Sequence, residues 1–153
     1  MTIRVMTAAD LDVVIRFAAS IPEAPRWPRS SWEAYLSESD PSRRIFLAEC
    51  GRELTGFLAG QIIGDACELE SIAVSPARRR SGIAAALLAA LITWGKQHGS
   101  SKVQLEVRFA NHSAMAFYSK SGFLSDGLRP RYYHDPSDDA LLMTLPLTPP
   151  PQP

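Results

Sequence analysis

The residues best suited to gripping an anion form one stretch: Ser71-Ile72-Ala73-Val74-Ser75-Pro76, then Arg78, Arg79, Arg80, Ser81, Gly82, Ile83, Ala84 and Ala85. A strand-forming run breaks at Pro76 and enters a helical run through a turn that contains a glycine. The first turn of a helix has N–H groups without helical acceptors and a partial positive charge, which together seat a phosphate or pyrophosphate. Gly82 lets the backbone approach such an anion closely. Ala84 and Ala85 keep the next positions small, and the three arginines add positive potential. The same residues also read as a solvated basic turn ahead of a structural helix. Neither a P-loop nor a GxGxxG dinucleotide signature competes for the role.

Further along, Glu106 sits in Val103-Gln104-Leu105-Glu106-Val107-Arg108, on the strand face opposite the apolar residues. That face suits a solvent-exposed or ion-paired carboxylate. Tyr118 follows within a helical segment that runs from Asn111 to Ser121 with Ala114 and Phe117, where an aromatic residue is ordinarily core. Asn111 is placed to cap that helix. Cys50 and Cys67 fall within strand patterns and read as small buried hydrophobes. With His98, His112 and His134 they show no ligand spacing, so no metal is expected.

The elements that must position these groups follow from periodicity. Ile3 and Val5 alternate in a first strand, and Leu11, Val14, Ile15 and Ala18 recur at helical spacing after Asp10. An irregular stretch follows with Pro22, Pro25, Pro28 and Pro41 and with Trp27 and Trp32; only Trp32, Tyr35 and Leu36 suggest a short helix there. Strands are expected over Ile45 to Glu49, Leu54 to Ile63 and Cys67 to Val74, separated by turns at Gly51-Arg52 and Gly64-Asp65. A helix from Ile83 to Gln97 ends at Gly99. After the Glu106 strand and the Tyr118 helix come two strand candidates, Phe123 to Leu128 and Leu141 to Leu147. The order implies one mixed-sheet α/β (α+β) domain over residues 1–147. The tail, 148–153, has four prolines in six residues and is expected to be disordered.

Composition narrows the functional classes. The 153 residues carry 16 Lys plus Arg against 16 Asp plus Glu, a balance that argues against nonspecific nucleic-acid binding. A chain of this size buries roughly 70% of its unfolded surface, enough for a core without disulfides or metals. Arg4, Asp10 and Asp12 interrupt any signal-peptide core, and no apolar run approaches the ~18 residues of a membrane span. With two cysteines and no disulfide framework, a cytoplasmic protein without membrane association is the expectation.

Taken together, these segments resemble the GCN5-related N-acetyltransferases (GNAT). Arg79-Arg80-Ser81-Gly82-Ile83-Ala84 matches the family's acyl-CoA pyrophosphate loop, Arg/Gln-x-x-Gly-x-Gly/Ala, and follows a strand ending in Val74-Ser75-Pro76. The likeness continues through Leu105-Glu106-Val107-Arg108, Asn111, Ala116-Phe117-Tyr118, Ser121-Gly122-Phe123, Arg131-Tyr132-Tyr133 and Leu142 to Leu147. This combination looks like the bacterial ribosomal-protein-alanine N-acetyltransferase branch and spans the chain from its first strand to Leu147.

The resemblance implies a mostly antiparallel sheet, flanked by helices, with a central splay between two parallel strands. Acetyl-CoA would lie in the splay, its pantetheine arm against the backbone of Ile72, Ala73 and Val74. The loop from Arg79 through Arg80, Ser81, Gly82, Ile83, Ala84 and Ala85 would hold the pyrophosphate, with Asn111 also touching the cofactor. Glu106 would be the general base and Tyr118 the hydrogen-bond or proton donor to the departing sulfur. Trp27, Arg131, Tyr132 and Tyr133 would frame the acceptor, a protein N-terminus such as that of an alanine-starting ribosomal protein. His134-Asp135 follows Tyr133 where the family usually has a proline. Rival readings are acetylation of lysine side chains or of a small amine, and a non-catalytic acyl-CoA-binding module.

Overall fold

A computed structural model describes residues 1–36, 38, 40–133 and 138–147, the side chains of Arg131 and Tyr133 excepted. The strands are β1 (Thr2–Val5), β2 (Arg43–Cys50), β3 (Glu53–Ile63), β4 (Ala66–Val74), β5 (Lys102–Arg108), β6 (Leu124–Tyr133) and β7 (Asp138–Pro146). The helices are α1 (Leu11–Ser20), α2 (Arg29–Glu33), α3 (Ile83–Gln97) and α4 (His112–Lys120). One sheet of order β1-β2-β3-β4-β5-β7-β6 contains all seven strands. Its neighbours are antiparallel except β4 and β5, which run parallel and are linked through α3. The expected mixed sheet with one central parallel pair is therefore present.

Alternation along β2 divides the interior in two. Ile45 and Leu47 face a core built with Leu11, Val14 and Ala18 of α1 and with Trp32, whereas Phe46 and Ala48 face Leu87, Leu88, Leu91 and Trp94 of α3. α3 lies close on β3 because Gly60 has no side chain: a Cβ there would stand 2.5 Å from Leu91 Cδ1 and 3.1 Å from the Glu68 carbonyl oxygen. Val103, Leu105 and Val107 of β5 join the α3 core, as does Tyr118 of α4. At the start of the chain, Arg4 ties β1 to the turn before α1 and to β2, reaching Asp10 at 2.7 Å and Glu49 at 2.5 Å.

The last two strands are longer than their apolar runs suggest. β6 continues past Leu128 to Tyr133, and β7 begins at Asp138, where the two are paired at Tyr133–Asp138. Polar side chains are tolerated on this outer hairpin because β6 is the edge strand and its residues 124–130 are all exposed, and Pro130 falls within the register irregularity between Arg129 and Tyr133. The short helix expected over Trp32, Tyr35 and Leu36 covers Arg29–Glu33, so Tyr35 and Leu36 lie in the turn beyond its end. The tail, 148–153, lies outside the described residues.

Candidate active site

The gap at the centre of the sheet arises where β4 leaves β5. Their pairing covers Ala66–Lys102, Cys67–Val103 and Glu68–Gln104, with Gln104 Nε2 donating to Glu68 Oε1 at 2.6 Å on the last rung. Beyond Glu68, β4 remains paired with β3 as far as Val74, so among the described residues its other edge has no strand partner. A β-bulge sits at this point: Leu69 pairs with Gly60 and Ser71 with Ala59, leaving Glu70 as the extra residue. The bulge inverts the strand's alternation. Cys67 and Leu69 pack in the α3 core, but past Glu70 it is Ile72 and Val74 that face that core, while Ala73 joins the α1 side.

Below the gap, the turn into α3 forms a cradle. A short 3-10 turn, Pro76–Arg78, leads to Arg80 at φ +64 and Gly82 at φ +85. A left-handed conformation costs a non-glycine residue about 1–2 kcal/mol, so Arg80 is a point of stored strain. Ile83 is buried and anchors the helix, and the Ala86 N–H donates to the Gly82 carbonyl at 3.0 Å. The amides of Ile83, Ala84 and Ala85 thus precede the first helical bond and carry the helix's positive end. They face a cleft of about 620 Å³, lined by Val74, Arg80, Gly82, Ala84, Ala85 and Phe117 among others. Ser81 donates its hydroxyl to the Arg78 carbonyl. Arg78 pairs with Glu53 at 2.8 Å, and Arg79 with Glu23 at 3.2 Å; both pairs are exposed and contribute little to stability.

On the face away from α3, Glu106 lines a second cavity of about 420 Å³ with Glu68, Glu70, Asp126, Arg129 and Tyr132. Its carboxylate, 27% exposed, pairs with Arg129 at 3.2 Å. Arg129 reaches across β7 to do this, and its guanidinium also lies over the Tyr132 ring at 5.1 Å. Asp126 accepts from Thr144 Oγ1 at 2.9 Å. The alternation read from the sequence therefore puts Glu106 in a cavity rather than on an open surface, with an ion partner from a strand that is not its neighbour.

Trp27 lines a third cavity, of about 390 Å³, with Tyr35, Arg43 and Glu70. It stacks on Tyr35 with ring centroids 5.5 Å apart and 7° between the planes. Tyr35 is buried and donates its hydroxyl to Glu70 Oε1 at 2.9 Å. Burial, and secondarily the charge of Glu70, raises the Tyr35 pKa well above the usual phenol range, so the hydroxyl stays a donor. Glu70 borders this cavity and that of Glu106 alike.

The remaining expected residues separate. Tyr118 is buried against Phe117 and Phe123 on the α4 side of the gap. Asn111 caps α4, its side chain accepting from the Ala114 N–H at 3.2 Å. Arg131 and Tyr133 lie on β6, with side chains outside the described residues; His134 is likewise outside them. Burial, then Glu68, raises the Cys67 thiol to about 12, which keeps it protonated and unsuited to nucleophilic work. Among the described residues no group of three or more His, Cys, Asp or Glu is arranged to hold a metal, and no helix is long and apolar enough to cross a membrane. Sequence reading missed Arg129, Glu70 and Tyr35. The alternation of Glu68 and Glu70 with Cys67 and Leu69 was the available signal for the carboxylates; nothing local marked Arg129 or Tyr35.

Comparison with known proteins agrees with this fold. The model of the acetyltransferase (GNAT) family matches residues 12–123. The chain is 31% identical over 148 residues to the N-alpha-acetyltransferase RimI of Mycobacterium tuberculosis, a match covering 93% of this chain and 90% of that one. It is 36% identical over 98 residues to the ribosomal protein bS18-alanine N-acetyltransferase of Escherichia coli K12, covering 63% of this chain and 66% of the relative. The crystal structure of the Escherichia coli ribosomal-protein-S18-alanine N-acetyltransferase superposes with a TM-score of 0.85 at 28% identity, covering 99% of this chain and 96% of that one.

Proposed function

This chain belongs to the acetyltransferase (GNAT) family, and from that premise we propose that it acetylates the N-terminal α-amine of a protein, with an alanine-starting ribosomal protein as the acceptor. Acetyl-CoA, the acyl donor of the family, supplies an acetyl group activated as a thioester. The residues present suit it: a gap between β4 and β5 with free backbone edge, and a helix N-terminus at Gly82 whose first amides face a cleft. In this reading the backbone of Ile72, Ala73 and Val74 pairs with the pantetheine arm, amides from Arg80 to Ala85 hold the pyrophosphate, and Asn111 adds a contact beside its capping role.

The observation that carries the proposal is Glu106, a partly buried carboxylate in an acid-lined cavity on the opposite face of the splayed strands. An α-amine of pKa ~7.8 is roughly one-third unprotonated at pH 7.5, whereas a lysine of pKa ~10.4 is unprotonated in about one molecule per thousand. One carboxylate, acting directly or through water, is sufficient to remove the remaining proton from the α-ammonium. Tyr118 donates a hydrogen bond to the sulfur as it departs. A phenol of pKa ~10 is a weaker acid than a thiol of ~8.5, so hydrogen bonding rather than complete proton transfer is the favoured role. Trp27, Arg131, Tyr132 and Tyr133 frame the acceptor. The similarity to enzymes named for the alanine of a ribosomal protein supports this acceptor class, and with it a cytoplasmic setting.

Mass spectrometry of products from two peptides tests the proposal, one with a free N-terminal Ala and one with a blocked terminus and an internal lysine. Acetyl on the free terminus alone is the expected result. Acetyl on lysine, or no product on either peptide, overturns the acceptor assignment.

A further inference from the structure

Between the Glu106 cavity and the Trp27 cavity stands a single shared carboxylate, Glu70. Three observations set it apart. It is the extra residue of the β4 bulge, at the point where β4 and β5 have stopped pairing. Its Oε1 is fixed by the Tyr35 hydroxyl at 2.9 Å, and Tyr35 is itself clamped by the Trp27 stack and buried. The partner is a neutral phenol, so the carboxylate's charge is oriented without being neutralised by it. By contrast, Glu106 in the same cavity faces a guanidinium. Arg43 also borders the Trp27 cavity, where it lies over the Tyr35 ring at 5.5 Å and pairs with Asp40 at 3.6 Å.

We propose that the Trp27 cavity is an acceptor subsite for a cationic side chain in the residues just after the acetylated terminus, with Glu70 as the residue that reads its charge. The inference rests on the N-terminal acceptor reading above and adds the chemistry of the acceptor's next residues. An acceptor whose terminus lies at Glu106 leaves that cavity past Glu70, because the two cavities share this residue. A carboxylate held by a neutral phenol beside stacked aromatic rings suits a lysine or arginine, through a charge-assisted hydrogen bond and a cation–π contact, the cation already in this cavity, Arg43, being engaged by Asp40 and the Tyr35 ring. Glu70 is exposed, so the preference is moderate and weakens as salt is added.

The test measures kcat/KM for free N-terminal Ala peptides that carry Lys, Ala or Glu at positions two and three, with wild type, Glu70→Gln, Glu70→Lys and Tyr35→Phe. Wild type is expected to favour the Lys peptides over the Glu peptides by about tenfold or more at low salt, the size of one partly exposed charge-assisted contact. Glu70→Gln removes most of that ratio, Glu70→Lys reverses it, and Tyr35→Phe reduces it. The KM for acetyl-CoA stays unchanged in all three variants. A purely structural role for Glu70 would not reverse a preference. Wild type that acetylates every Ala peptide without regard to charge, or Glu70→Lys with the wild-type order, overturns this inference and leaves the acceptor reading standing. Wild type that acetylates none of them overturns both.

Discussion

Gly82 offers the sharpest test of the cradle, because its two contributions separate. At φ +85 it occupies a backbone region where a residue with a Cβ loses about 1–2 kcal/mol. A Cβ built at this position meets nothing within 4 Å, so in the free protein the cost of a substitution is backbone strain without collision. Gly82→Ala is therefore expected to destabilise the fold by about 1 kcal/mol, and Gly82→Val, a β-branched residue at positive φ, by about 2 kcal/mol. For a chain of this size that corresponds to a Tm lower by roughly 2–4 °C per kcal/mol. The empty space around the Cβ is the cleft itself, since Gly82 is one of its lining residues. A side chain there stands where the pyrophosphate is proposed to meet the amides. Isothermal calorimetry with acetyl-CoA should accordingly show Kd raised at least about tenfold for Gly82→Val, equivalent to about 1.4 kcal/mol, and raised less for Gly82→Ala. Arg80→Ala should weaken binding only partly, because the proposed contacts are backbone ones. A folded Gly82→Val protein that binds acetyl-CoA with wild-type affinity would refute the cradle.

Other expectations follow from single contacts. Glu106→Gln should lower kcat about a hundredfold or more near pH 7, with the deficit narrowing as pH passes the amine's own value of about 8, and Tyr118→Phe should lower kcat without changing the KM for peptide. A pH–rate profile in which neither variant differs from wild type contradicts the proposed chemistry. Gly60→Ala should cost about 1–3 kcal/mol by overpacking, since its Cβ falls 2.5 Å from Leu91 Cδ1 and close to the Glu68 backbone; urea unfolding measures this, and an unchanged midpoint would mean that α3 shifts freely. The Arg4 guanidinium holds the Asp10 carboxyl well below the usual carboxylate range. Its stabilisation is thus fully present above the unfolded value of about 3.9 and is lost as pH falls through the lower folded value. Asp10→Asn should cost about 1–2 kcal/mol at pH 7, the gap to wild type closing in strongly acid solution. A gap that stays constant down to pH 2 would assign the cost to something other than the charge.

Local chemistry made much of this protein legible before its fold was known. The alternation of Val103, Leu105 and Val107 with Glu106 identified a strand with a polar face, and the strand–proline–glycine–helix run around Gly82 identified the turn into α3 and carried the family resemblance. Asn111 is the helix cap that its residue type suggests. These features depend on neighbours within a few residues, where backbone sterics and periodicity decide the outcome. The limits of β6 and β7 were less legible, because their outer residues are polar and are held in the sheet by pairing with one another.

Only the tertiary structure decided what meets what around the site. The Arg129–Glu106 pair joins strands separated by β7, and the Tyr35–Glu70 bond joins the irregular stretch after α1 to β4, 35 positions away. The bulge at Glu70 is equally invisible in composition, since it exists only as a mismatch in register with β3. Such contacts form when the sheet order and the packing of α1 and α3 bring distant segments together to bury apolar surface. Hydrophobic burial is non-directional, and it leaves no local mark on the polar residues it carries into contact.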